Sequence, residues 1–76
     1  MGAFGDKNYV TMNSKGIKAL LDKLGYGNNI VIILGNGSFK ISITGECHVQ
    51  QIKDIFNVIK WEYDGNKVVF YITTKE

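Results

Sequence analysis

The stretch from Asn29 to Thr44, NIVIILGNGSFKISIT, constrains the fold of this chain more than any other. Ile30-Val31-Ile32-Ile33-Leu34 is an unbroken apolar run, and Phe39, Ile41 and Ile43 then alternate with Lys40, Ser42 and Thr44. Between them stands Asn36-Gly37. An Asn-Gly pair flanked by β-branched runs predicts a β-hairpin. With residues 36 and 37 as a two-residue turn, Leu34 lies opposite Phe39, Ile32 opposite Ile41 and Ile30 opposite Ile43. Those six side chains form one apolar face, and Val31 and Ile33 point to the other.

Two amphipathic segments are available to cover that face. Ile17, Leu20, Leu21 and Leu24 recur at helical spacing, with Lys15, Lys18, Asp22 and Lys23 on the opposite side. Asn13 or Ser14 offers a capping oxygen at the start, and Gly25 is placed to stop the helix. After the hairpin, Gly45-Glu46 opens a second helix carrying Val49, Ile52, Ile55, Phe56 and Ile59 on one stripe. The chain then returns through Trp61-Glu62-Tyr63, Asp64-Gly65-Asn66-Lys67 and the run Val68–Thr73, which reads as a second hairpin. Trp61 and Tyr63 share a face there with Val68, Phe70 and Ile72. The expected core is Leu20, Leu21, Ile32, Ile41, Ile52, Phe56 and Phe70.

Before the first helix, Tyr9-Val10-Thr11-Met12 has the makings of a short edge strand, and residues 1–8 read as a loose segment with Phe4 against the body. The order is therefore (β)αββαββ over one domain, residues 1–76. It predicts an α+β two-layer sandwich: a mostly antiparallel sheet of four or five strands with two helices on one face. The order resembles a ferredoxin-like topology with one added C-terminal strand. In that topology Ile30–Leu34 would be an edge strand, although it is apolar on both faces as a central strand is.

Several function classes are disfavoured by composition. Net charge is +2, and all nine basic residues are Lys. Without Arg the chain lacks the bidentate fork that reads guanine and clamps phosphate. No apolar run approaches the roughly 20 residues of a membrane helix. No secretory leader is expected, and a lone Cys47 fits a reducing compartment, so the expected location is the cytoplasm. Lys, Asn and Ile are abundant and Pro is absent, the composition of a low-GC bacterium or its phage. Cys47-His48 is the one pair with catalytic potential, since a thiol in a first helical turn can have a lowered pKa. Adjacent helical positions point about 100° apart, so His48 is poorly placed as its base. Zinc wants about four Cys or His ligands and the chain has two. Gly35-Asn36-Gly37-Ser38 resembles a phosphate loop only in composition, because a strand follows it where a helix is needed. Neither catalysis, a cofactor nor a metal is expected.

The sheet face away from the helices is more informative. Val31, Ile33, Lys40, Val69 and Tyr71 fall on it by the predicted register, a mixture of apolar groups and Lys that suits an interface. The reading is a non-enzymatic protein-interaction module: a homodimer, or a small regulator or inhibitor that docks a protein through this face or a strand edge. The alternative is single-stranded nucleic-acid binding, with Tyr71 stacking and Lys40, Lys60 and Lys67 near phosphates.

Overall fold

The computed structural model describes residues 13–35 and 37–74. The elements run α1 (Ser14–Lys23), β1 (Asn29–Gly35), β2 (Ser38–Thr44), α2 (Val49–Ile55), β3 (Asn57–Asp64) and β4 (Lys67–Thr73). This is the expected α+β fold, with two helices and a four-stranded antiparallel sheet among the described residues. The strand expected at Tyr9–Met12 and the segment 1–8 lie outside the described residues.

Strand order is β1-β2-β4-β3. In a ferredoxin-like sheet the place beside β2 belongs to a strand that precedes the first helix; here β4 holds it. Among the described residues, β1 and β3 are the two edges.

Local chemistry accounts for α1 at both ends. Asn13 is the N-cap, its Oδ1 accepting the Gly16 N–H at 2.8 Å. At the other end Gly25 takes φ +98°. The Gly25 N–H then reaches the Asp22 carbonyl and the Tyr26 N–H the Leu21 carbonyl, the paired bonds of a Schellman stop. Ile17 and Leu21 are fully buried, while Leu20 and Leu24 pack against the core from its rim.

The second helix is shorter than its apolar stripe implies. It begins at Val49 and ends at Ile55, with Phe56 as its C-cap in extended conformation. Ile59, expected on that helix, belongs to β3 and is exposed. Residues 57–64 pair with β4 along its whole length, and that ladder outweighs one more helical turn. A register shift between Val58 and Lys60 throws Ile59 outward. Facing Phe70, the Trp61 ring stacks on it at 6.3 Å between centroids.

The first hairpin departs from its expected register. Gly35 pairs with Ser38, as a turn at 36 and 37 requires, but Ile33 pairs with Phe39 and Val31 with Ile41. Leu34 is the extra residue of a β-bulge, next to Gly35 at φ +97°. Because side chains alternate along a strand, one inserted residue moves the rest of β1 to the other face. Val31 and Ile33 therefore lie on the helix side, and Ile30 and Ile32 on the outer side, the reverse of the expected assignment. Ile32, expected in the core, is 43% exposed. The core is Ile17, Leu21, Tyr26, Phe39, Ile41, Ile43, Ile52, Phe56, Val68, Phe70 and Ile72.

Candidate functional site

The bulge splits the five interface candidates. Val31 and Ile33 share the helix-side rows of Ile41 and Phe39, whereas Lys40, Val69 and Tyr71 lie on the outer face. Val31 packs against the core. On the outer face Val69 is only 4% exposed and its neighbour Ser42 only 8%, so neither is open to a partner. Tyr71 sits between Lys40 and Lys60 in one row across three strands. The Lys60 Nζ lies 4.8 Å from the Tyr71 ring centroid, so one face of the ring is already occupied by a cation.

What the expected register hid is the outer edge of β1. Ile30, Ile32, Ile33 and Leu34 are 60%, 43%, 64% and 51% exposed, four large apolar side chains in succession around one half-buried valine, Val31. The strand reads NIVIILG, with no charge and no proline. Its main-chain polarity follows from one bond: the Thr44 N–H donates to the Asn28 carbonyl at 2.9 Å. Hydrogen-bonded pairs alternate along an antiparallel ladder. Ile30 and Ile32 therefore bond β2, while Val31 and Ile33 turn their N–H and C=O groups outward, where no described strand pairs with them. The opposite edge differs. β3 carries Lys60, Glu62 and Asp64, the charges with which natural sheets discourage edge pairing.

A buried polar junction fixes β1 at its start. Asn29 faces the helix side opposite Ile43. Its Nδ2 donates to Asp22 Oδ1 at 2.9 Å and to the Tyr26 carbonyl, and its Oδ1 accepts from Lys18 Nζ at 3.1 Å. The same ammonium lies 3.4 Å from the Asn29 carbonyl. Lys18 and Asp22, an i, i+4 couple in sequence, thus meet through Asn29. A second junction ties the neighbouring loop to α2: the Tyr26 hydroxyl donates to Gln51 Oε1 and accepts the His48 N–H at 3.2 Å. Sequence reasoning missed both. A polar residue opening an apolar strand was the available signal at Asn29.

Cys47 is not in a helical turn. It precedes the N-cap His48, half-buried, and its thiol is pushed above the ordinary thiol range by burial, partly offset by a hydrogen bond with Tyr26. A cleft of about 320 Å³ beside it is lined by Tyr63, Asn66, Lys67 and the glycines 45 and 65. Among the described residues no three His, Cys, Asp or Glu side chains gather as a metal site would need. None of the described helices is long and apolar enough to cross a membrane. No family model, curated protein or solved structure matches the chain.

Proposed function

We propose that this chain is a non-enzymatic protein-interaction module that docks a protein by strand addition at the outer edge of β1. One observation carries the reading: the edge strand with four exposed aliphatic side chains also presents main-chain groups at Val31 and Ile33 that no described strand pairs, and bears no charge to repel an incoming strand. Main-chain bonds would supply affinity, and pockets between Ile30, Ile32 and Leu34 the selectivity. This replaces the open sheet face as the preferred surface, because Val69 is covered. The cytoplasm suits such a module, where the single thiol of Cys47 stays reduced.

The test is Ile33→Lys combined with Ile30→Lys, both at exposed positions, against Lys60→Ala with Lys40→Ala on the outer face. Binding of the protein that co-purifies with the parent should be lost in the first pair and kept in the second. Salt-sensitive co-purification of nucleic acid, lost with the outer-face lysines, would overturn the reading in favour of a strand-binding sheet.

A further inference from the structure

We infer that the strand added to β1 is β1 of a second copy, paired antiparallel about a two-fold axis through Ile32. This rests on the edge-docking reading above and names its occupant. Three observations select the second copy and its register.

The first is which main-chain groups of β1 no described strand pairs. Val31 and Ile33 point their N–H and C=O groups outward, and the Asn29 carbonyl points the same way but already meets Lys18 Nζ. With Ile32 on the axis, Val31 pairs with Ile33 of the partner subunit and Ile33 with Val31 of the partner subunit. The outward groups of Val31 and Ile33 are then all used, and the Asn29 carbonyl keeps its contact with Lys18. An axis through Val31 would instead pair Ile33 with the partner's Asn29, in competition with Lys18.

The second is which side chains are covered. In this register Ile32 meets its own copy and Ile30 meets the partner's Leu34 on the outer face. On the helix side, Ile33 meets the partner's Val31. The four residues that are 43–64% exposed are all at the seam. An isologous contact uses the same patch twice, and an all-apolar strand is complementary to itself.

The third is charge. Each copy carries a net +2, yet β1 holds no ionisable group. The nearest outer-face lysine, Lys40, is one strand in from the edge, beside Ile32. Two such lysines in the dimer stand three strand spacings apart, roughly 14 Å, beyond the Debye length of about 8 Å at physiological salt. The exposed side chains amount to roughly 400 Å² per copy, against about 800 Å² per partner in a standard interface. The dimer is therefore a weak, concentration-dependent one, an eight-stranded sheet that forms at micromolar and higher chain concentration.

Sedimentation equilibrium of the full chain should show a mass rising from 8.5 kDa toward twice that value as concentration increases. Ile32→Lys places two ammonium groups on the axis and should raise the dissociation constant at least about tenfold. Ile32→Glu should do the same, and an equimolar mixture of the two variants should recover a heterodimer. In a Cys47→Ser background, Ile32→Cys should cross-link under oxidised glutathione, since Cα atoms in a facing non-bonded pair lie about 4.5 Å apart, within disulfide reach. Ile30→Cys, at a more exposed position, should not. Cross-linking at residue 30 in place of residue 32 overturns the register. A chain of monomer mass at every concentration overturns self-pairing. If such a monomer still loses its protein partner with Ile33→Lys, the edge-docking reading stands without it; if it loses nothing, both fall.

Discussion

Every polar atom of the Asn29 side chain has a partner, and those partners come from α1, from the loop after it and from no other element. Asn29→Ala leaves the Tyr26 carbonyl without its buried amide donor, while the exposed Lys18 and Asp22 turn to water. Leaving buried polar groups unmatched costs about 1–3 kcal/mol, which urea unfolding should read as a lower midpoint at unchanged slope. Stability equal to the parent would show that water replaces the amide freely. Cys47 is the other residue whose setting decides its chemistry. Burial raises its pKa in the folded chain above that of the unfolded chain. Between those two values the unfolded chain has shed a proton that the folded chain retains. The contribution to stability is therefore present below the unfolded thiol pKa and declines as pH rises toward the folded one. Cys47→Ser should lack that slope in melts taken on the alkaline side of neutrality. Maleimide should label the folded thiol more slowly than free cysteine at pH 7; faster labelling would restore an activated thiol.

At the scale of elements, the bulge in β1 is the decisive feature, and a pair of truncations tests it. Ile41 is fully buried and Ile32 is 43% exposed. Ile41→Ala should cost about 2–5 kcal/mol and Ile32→Ala under about 1 kcal/mol, measured at a dilution where any dimer is dissociated. Equal losses would restore the unbulged register. The α1 stop makes a smaller claim. Gly25 at φ +98° has open space where a Cβ would go, so backbone conformation alone opposes a side chain there. Gly25→Ala should destabilise by about 1 kcal/mol, visible as a fall of a few degrees in Tm. Both hairpins and α1 were legible in sequence because turn, cap and stop residues act locally. The end of α2 was not. Ile59 continues the helical stripe and equally suits a strand, and only β4 lying alongside settles the matter.

At the scale of the molecule, one cluster of side chains from both helices, β2 and β4 holds the layers together, with Phe70 fully buried in it. Phe70→Ala should cost about 3–5 kcal/mol, a large share of the stability of so small a chain. The single tryptophan reports the event directly, because Trp61 stacks on that ring. Its emission should take on the solvent-exposed character of the unfolded state well below the parent's Tm. An unchanged spectrum and melt would mean that the cluster tolerates the void. The two sheet edges of the described residues differ in the same global sense: β3 carries charges and β1 carries none.

Residues acting on near neighbours were readable from the chain itself. Asn13 caps, Gly25 stops, Gly37 and Gly65 turn with positive φ, and the alternation of β2 and β4 sends Phe39, Ile41, Ile43, Val68, Phe70 and Ile72 inward. The candidate site was not, because β1 is apolar at both parities and its pattern fits either register equally. Hydrophobicity cannot choose a face for a strand that would be content on both. On the helix side the Asn29 amide meets Lys18, Asp22 and Tyr26, and a one-residue bulge at Leu34 reconciles that facing with the turn. Strand order was likewise a tertiary matter. β4 lies beside β2, and among the described residues β1 is at an edge, where the isoleucines the sequence had promised to the core are exposed.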